Sequence, residues 1–240
     1  TIAATTLALG LSVPALADDA GSKALASAEA SMNKAKTLYF EYEAKTTEAG
    51  KADKTVGLNV WIKGEKRKTE FTAPADLKGT KVLILSPTEM YVYLPAFGKV
   101  RRIASHTSDQ SAFGMAYSQD ELATQKYSGD YDAAQTSSSD KEVKITLTPK
   151  SGKTTTYGKI EMTIAKDHNV PTEIKYYNSD SKLVKTETRT GYTSESDVWT
   201  PGTLKMVDHT KNLTTTFTRK KVKVNEAIAD DVFSKRSLEN

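Results

Sequence analysis

Apolar and polar side chains alternate with a period of two over much of this 240-residue chain. Such alternation places apolar side chains on one face of a β-strand and polar ones on the other, as in antiparallel sheets. With the turn-forming residues between the runs, it predicts about ten strands. The clearest runs are residues 56–62, 90–94, 143–147 and 160–164. Their apolar faces must meet, in a sandwich, a closed barrel or a strongly curved sheet wrapped around something.

One convincing helix precedes the strands. Residues 22–37 are rich in Ala and Lys, which favour a helix, and carry one apolar stripe. The stripe consists of Leu25, Ala28, Met32 and Ala35. The helix is expected to fill part of the space that the apolar strand faces enclose.

Between residues 105 and 140 the alternation stops. The stretch is rich in Ser, Gln and Asp, with a short predicted helix over residues 119–124 and Ser118 as its N-cap. A long irregular connection inside a compact domain is usually a functional lid or a disordered loop. The residues leave both alternatives open.

The first residues have the pattern of a signal peptide. Residues 2–13 form an uncharged apolar run, followed by the small-residue site Ala15-Leu16-Ala17 and then by charged Asp18. The run is shorter than the roughly 20 residues that span a bilayer. We expect the chain to begin inside its signal, cleavage after Ala17, and one exported, soluble domain over residues 18–240. The alternative is a buried N-terminal helix.

The charge is too mild to indicate a nucleic-acid partner. The formal net charge is +4, and the densest basic runs are residues 63–68 and 219–223. We expect both to be solvated strand faces, with a weak role at an anionic membrane surface as the alternative. The chain has no cysteine, which excludes thiol chemistry, Cys-ligated metals and a lipidated N-terminal Cys.

No catalytic motif stands out. His106, His168 and His209 lack metal-ligand spacing, and the chain has no G-x-S-x-G, P-loop or G-x-G-x-x-G motif. We therefore expect no catalytic residues, no metal, no cofactor and no enzyme activity. A hydrolase remains an open alternative, because Ser and Thr are abundant.

Residues 86–122 combine two aromatic-rich strands, a pair of arginines and a Phe-Gly before the short helix. Taken alone, this is either a functional segment or an ordinary hairpin with Tyr91 and Tyr93 in solvent. Its distinctive motifs are Tyr93-Leu94-Pro95, Gly98-Lys99, Arg101-Arg102-Ile103, Phe113-Gly114, Tyr117 and Asp120-Glu121-Leu122. With Trp199-Thr200-Pro201 and residues 231–238, they resemble the LolA-like family of outer-membrane lipoprotein-sorting proteins.

The resemblance implies a mainly β (α+β) fold: a strongly curved antiparallel sheet, or incomplete β-barrel, closed by an N-terminal helix and a helical lid. It also implies a soluble periplasmic carrier that holds acyl chains of a lipid or lipoprotein and passes them between envelope membranes. Its partners would be an inner-membrane exporter and an outer-membrane acceptor, and we expect a monomer. The alternatives are an accessory subunit of an envelope export complex without a lipid, and an esterase.

The resemblance and the alternation together select candidate residues for the cavity and the lid. Adjacent strand residues face opposite sides, so at most one of the two arginines is expected to point to the cavity mouth. Met115 and Ala116 depart from the small and acidic residues that often follow the Phe-Gly, which bears on the ligand more than on the fold. The candidates are Val60, Met90, Val92, Leu94, Arg101, Arg102, Phe113 and Met115.

Overall fold

The computed structural model describes residues 18–104, 111–124 and 126–239. The predicted signal segment, its cleavage site and His106 lie outside these residues. In the part of the chain described, no helix is long and apolar enough to cross a membrane.

An antiparallel sheet dominates the described residues. The helices are α1 (Asp19–Met32) and α2 (Gln119–Ala123). The strands are β1 (Thr37–Glu48), β2 (Lys54–Lys63), β3 (Lys66–Ala73), β4 (Lys81–Ser86), β5 (Glu89–Leu94), β6 (Lys99–Ile103), β7 (Tyr131–Ser138), β8 (Glu142–Pro149), β9 (Lys159–Ala165), β10 (Val170–Tyr177), β11 (Leu183–Thr190), β12 (Thr193–Glu195), β13 (Val198–Thr200), β14 (Thr203–Asp208) and β15 (Leu213–Val224).

Thirteen of these strands form a single sheet, in the order β6-β5-β4-β3-β2-β1-β15-β14-β11-β10-β9-β8-β7, and β12 pairs only with β13. The predicted count of about ten strands was too low. Strand β4 carries the apolar run Val82-Leu83-Ile84, which is buried on both faces and therefore does not alternate. Strand β7 lies inside residues 105–140, so the irregular stretch is shorter than predicted.

The sheet is strongly curved but not closed. Ile84 of β4 and Tyr131 of β7 line a common pocket, although ten strand positions separate β4 from β7 in the sheet. In a flat sheet that separation would be roughly 48 Å, at about 4.8 Å per strand. The sheet therefore wraps around its inward face, while β6 and β7 remain its two edges. Of the three predicted arrangements, the curved open sheet is the one observed.

Helix α1 is shorter at its C-terminal end than the predicted helix over residues 22–37. The Asp18 side chain caps its N-terminus, and the Asn33 N–H donates to the Glu29 carbonyl at its other end. Four residues later β1 begins, and its Leu38 pairs with both β2 and β15. Central sheet pairing thus outweighs the helix propensity of the Ala- and Lys-rich sequence.

The opposite face of the sheet is covered in part by the C-terminal residues. Phe233 and Leu238 pack against Leu83 and Tyr91, which point away from the inward face. Lys68 Nζ donates to the Ser237 carbonyl at 2.9 Å. This end of the sheet is therefore buried on both faces.

Helix α1 approaches strand β7 at a glycine. A Cβ on Gly21 would lie 2.6 Å from the backbone Cα and C of Ala134. Leu25 and Ala28, farther along the same helix, are 2% and 0% exposed in the core. The close approach at Gly21 therefore sets how deeply the apolar stripe of α1 enters the curved sheet.

We predict that Gly21→Ala destabilises the protein, although Ala is the better helix former by about 1 kcal/mol. The added methyl would meet backbone atoms of a paired strand, which cannot rotate away. The melting temperature, followed by circular dichroism, should fall by several degrees. Ser22→Ala, at the exposed neighbouring position, is the control and should leave it unchanged or slightly higher. Equal melting temperatures for the two variants would contradict the close packing.

Candidate functional site

A pocket of about 410 Å³ lies between the inward face of the sheet and residues 111–124, which we call the lid. Its volume is within the range of about 300–1,000 Å³ that is common for small-molecule sites. Its apolar wall includes Leu38, Phe40, Leu58, Val60, Ile62, Phe71, Val82, Ile84, Phe113, Met115, Leu122, Leu204 and Phe217. A second pocket of about 340 Å³ adjoins it and shares Glu121 and Thr124 of the lid.

The end of the lid is formed by α2, which has a complete capping box. Ser118 Oγ accepts the Glu121 N–H at 3.2 Å, and the Glu121 carboxylate accepts the Ser118 N–H at 2.7 Å. The predicted N-cap at Ser118 is confirmed, and the helix ends one residue earlier than predicted. This reciprocal capping lets a five-residue helix exist that would otherwise be too short to be stable.

At the other end of the lid, Phe113 enters the pocket wall with an unusual backbone. Its φ is 51°, in the left-handed region that costs a bulky residue of order 1–3 kcal/mol. Its ring packs on Phe71 of β3, with the ring centroids 4.6 Å apart. The aromatic contact therefore holds Phe113 over the sheet in spite of the backbone strain.

Buried polar groups of the sheet bind the middle and end of the lid. Thr215 Oγ1 accepts the Ala116 N–H at 2.9 Å and lies 2.8 Å from Thr46 Oγ1. Lys185 Nζ donates to Glu121 Oε2 at 2.9 Å, with side chains only 10% and 5% exposed. The lid is thus attached to β15 and β11 by bonds shielded from water, and Thr46 of β1 supports the first of them through Thr215.

Next to Lys185 on β11, Glu187 and Arg189 form a buried ion pair. Arg189 Nε and Nη2 donate to the two carboxylate oxygens of Glu187 at 2.9 and 3.2 Å. The hydroxyls of Tyr117 and Tyr176 also donate to Glu187, at 3.5 and 3.2 Å. Burial alone would lower the pKa of Arg189, but Glu187 and neighbouring tyrosines raise that pKa well above its ordinary value. Arg189 is therefore charged, and its guanidinium is bonded to both oxygens of Glu187.

Arg67 of β3 also lines the pocket, without such a partner. Its Nη1 donates to the Leu122 carbonyl of the lid. Burial lowers the pKa of Arg67 to about 10, and the nearby Arg189 contributes to that lowering. The guanidinium is therefore still charged at neutral pH. The prediction that residues 63–68 form a solvated strand face holds for the exposed residues 64–66 and is wrong for Arg67, which lines the pocket, and for Lys68, which is buried on the opposite face.

The tyrosines of the pocket are held in their neutral form. Burial raises the pKa of Tyr127 and of Tyr192 to about 12. Neither His168 nor His209 lines the pocket. The His168 ring stacks on Trp199, and His209 Nε2 lies 2.9 Å from Thr186 Oγ1. Among the residues described, no cluster of His, Asp and Glu could hold a metal ion. The pocket offers apolar contact and a few fixed charges.

Of the predicted candidates, Val60, Phe113 and Met115 line the pocket. Met90 and Val92 pack beside its wall, in a cluster with Val82 and Ile84.

The other three candidates lie apart from the pocket. Leu94 is half-buried at the end of β5, and Arg101 and Arg102 are both exposed on the edge strand β6. The Arg101 guanidinium lies 4.8 Å from the centre of the Phe97 ring, and Arg102 Nη2 donates to the Thr88 carbonyl at 2.9 Å. That one of the two arginines meets a ligand or partner remains a prediction.

The charged residues of the site are not predicted by the pattern of the sequence. Lys185, Glu187 and Arg189 alternate with threonines, a period of two that does indicate a strand. A charged strand face ordinarily points to solvent, so the pattern alone predicts the wrong face. Only the lid and the curvature of the sheet place these three side chains inside.

We predict that Glu187→Gln destabilises the protein by about 3–5 kcal/mol, because it leaves the buried charge of Arg189 without its partner. Glu173→Gln on β10 is the matched control. Glu173 also pairs with a cation two residues away, Lys175, but both side chains are more than a third exposed. Exposed pairs contribute about 1 kcal/mol or less. Urea unfolding measures both variants, and similar losses of stability would show that the Glu187 pair is not isolated from water.

Solved structures of other proteins share this fold over nearly their whole length. The structure superimposes on an outer membrane lipoprotein-sorting protein domain from Vibrio parahaemolyticus with a TM-score of 0.83 at 20% identity, covering 92% of this chain and 99% of that one. It superimposes on a DUF1329 family protein from Desulfovibrio piger with a TM-score of 0.82 at 21% identity, covering 92% and 100%.

A LolA superfamily protein from Nitrosomonas europaea gives a TM-score of 0.74 at 18% identity, covering 90% of this chain and 98% of that one. At these identities the likeness establishes the fold. Among proteins with curated functions, none matches this sequence.

A family model described as an uncharacterized protein matches residues 63–240, about three quarters of the chain. The match includes the lid, strands β3–β15 and the C-terminal residues that cover the opposite face. The resemblance predicted from the sequence motifs is thereby confirmed: the chain belongs to the family of this model, and its fold is LolA-like.

Proposed function

We propose that this protein is a soluble carrier that binds the acyl chains of a lipid or lipoprotein and passes them between envelope membranes. The observation that carries the proposal is the apolar pocket of about 410 Å³ under the lid. Its wall is built from the inward positions of alternating strands, such as Leu58, Val60 and Ile62 of β2. The remaining wall comes from the lid itself.

Binding of an acyl chain in such a pocket requires no specific polar contact along the acyl chain. Each methylene removed from water contributes about 0.8 kcal/mol, so a long acyl chain gains on the order of 10 kcal/mol. A ligand held so tightly leaves slowly without help. A membrane partner that moves the lid therefore belongs to the proposal, as donor on one membrane or acceptor on the other.

We place the protein in the periplasm. The predicted signal peptide and its site at Ala17 support this location. The name of the Vibrio parahaemolyticus neighbour, a lipoprotein-sorting domain, agrees with it. We propose no catalytic role for the pocket, because its buried tyrosines have raised pKa values and both described histidines lie outside its lining.

We predict that Val60→Phe weakens binding of diphenylhexatriene, an uncharged apolar fluorescent probe, while the stability of the ligand-free protein holds or rises. Val60 lines the pocket, so the larger ring would enter space that a ligand otherwise occupies. Val143→Phe on β8 is the matched control, since Val60 and Val143 are both 8% exposed and Val143 does not line the pocket. Overpacking there should cost about 1–3 kcal/mol and leave probe affinity unchanged.

Probe fluorescence and urea unfolding of both variants test the proposal. Strong destabilisation by Val60→Phe with unchanged probe binding would mean a solid core at this position. A wild-type protein that binds no probe, and whose solvent extract contains no lipid by mass spectrometry, would contradict the carrier function itself.

A further inference from the structure

One cation in the wall of the pocket, Arg67, has no carboxylate partner among the described residues. Among the described residues, the other cations in the lining have a carboxylate nearby: Arg189 pairs with Glu187, and Lys126 lies 3.9 Å from Glu65. Within residues 18–104, 111–124 and 126–239, no carboxylate lies within 4 Å of the Arg67 guanidinium, and its buried Nε has no hydrogen-bond partner. Its Nη1 contact with the Leu122 carbonyl uses one of the five donors of a guanidinium.

A buried charge without a counter-ion is costly, so an anionic ligand would lower the free-energy cost of burying Arg67. The Glu187 carboxylate does not supply it, because Arg189 already bonds both of its oxygens. The Glu121 carboxylate is likewise engaged by Lys185. Arg189 is therefore a structural arginine, whereas the charge of Arg67 is available to a ligand.

The position of Arg67 in the register shows which end of a ligand would reach it. In the β2–β3 hairpin, Arg67 pairs with Ile62, Thr69 with Val60, and Phe71 with Leu58. All six residues line the pocket. The side chains of β3 that line the pocket therefore become less polar along the strand, from Arg67 near the turn through Thr69 to Phe71. Phe71 lies about 13 Å from Arg67 along the strand.

The turn beside Arg67 opens to solvent. Gly64 and Glu65 of the turn line the pocket and are exposed, whereas Leu58 and Phe71 are 3% and 1% exposed. Arg67 thus lies near the solvent-exposed end of the hairpin, and the buried side chains of Leu58 and Phe71 lie at its other end. This is the polarity of an amphiphile with its headgroup near the turn.

We propose that Arg67 receives the anionic headgroup, a carboxylate or a phosphate, of an amphiphile whose acyl tail runs along β2 and β3 towards Phe71. The inference rests on the carrier function proposed above and specifies its ligand class. Guanidinium groups bind both anions through charge-assisted, often bidentate hydrogen bonds, which accounts for an arginine at this position.

The test is displacement of bound diphenylhexatriene by hexadecanoate, hexadecyl phosphate and the uncharged methyl hexadecanoate. In the wild-type protein both anions should compete about tenfold better than the ester, as a charge-assisted bond would give. Equal competition by the anions and the ester would overturn the inference but leave the carrier function intact. A wild-type protein that does not bind the probe, and whose solvent extract contains no lipid, would contradict the carrier function and this inference with it.

Arg67→Met should reduce the preference for the anions, measured as the ratio of anion affinity to methyl hexadecanoate affinity within the same variant, from about tenfold to about one. Arg67→Lys keeps a charge and should retain part of the preference. Arg236→Met is the control: it removes the same charge from an exposed residue in the C-terminal segment, and should keep the full preference. A preference that survives in Arg67→Met would overturn the inference.

Two further measurements complete the test. The melting temperature of Arg67→Met should be unchanged or higher, because the variant removes an uncompensated buried charge. Inorganic phosphate alone should neither displace the probe nor raise the wild-type melting temperature at the concentrations where hexadecyl phosphate acts. If it does either, the site binds a free anion and the headgroup inference is wrong.

Discussion

The polar groups buried on the inward face of the sheet determine where the lid lies. Thr215, Lys185 and Glu187 all lie on strands in the middle of the sheet, at positions where an acyl-binding wall would be expected to be apolar. Leaving such groups without partners costs about 1–3 kcal/mol each, and more for a charge. The lid supplies those partners through the Ala116 N–H, the Glu121 carboxylate and the Tyr117 hydroxyl.

This arrangement explains how a pocket persists in a protein whose interior would otherwise collapse. Hydrogen bonds and ion pairs hold the lid at defined points, and the ring of Phe113 rests on Phe71. Between these points the apolar side chains of β2, β3 and β4 face the lid without filling the space. The polar contacts thus act as spacers between two apolar surfaces that would gain by closer contact.

The two arginines of the pocket show how one residue type serves two purposes in the same site. Arg189 is neutralised by Glu187, and that pair also organises two tyrosines. Arg67, on the other side of the sheet's midline, bonds only a lid carbonyl and lacks a carboxylate partner among the described residues. Its placement between the exposed β2–β3 turn and the apolar depth of the pocket links the electrostatics of the site to the chemistry of the proposed ligand.

The sequence by itself determined the one-sided strands, the N-terminal helix, the N-cap at Ser118 and the family, because these depend on local periodicity and short motifs. It also selected Val60, Phe113 and Met115 for the pocket.

Only the tertiary structure decided the rest. Strand β4 is buried on both faces, and β11 alternates charged residues with threonines, so neither shows the alternation of apolar with polar residues on which the strand count depended. Which face of a strand is exposed to solvent depends on what packs against that strand. The curvature of the sheet and the position of the lid bring residues that are distant in the sequence together. For that reason the charges of Arg67, Glu187 and Arg189 look like solvated positions in the sequence and form the polar part of the pocket in the fold.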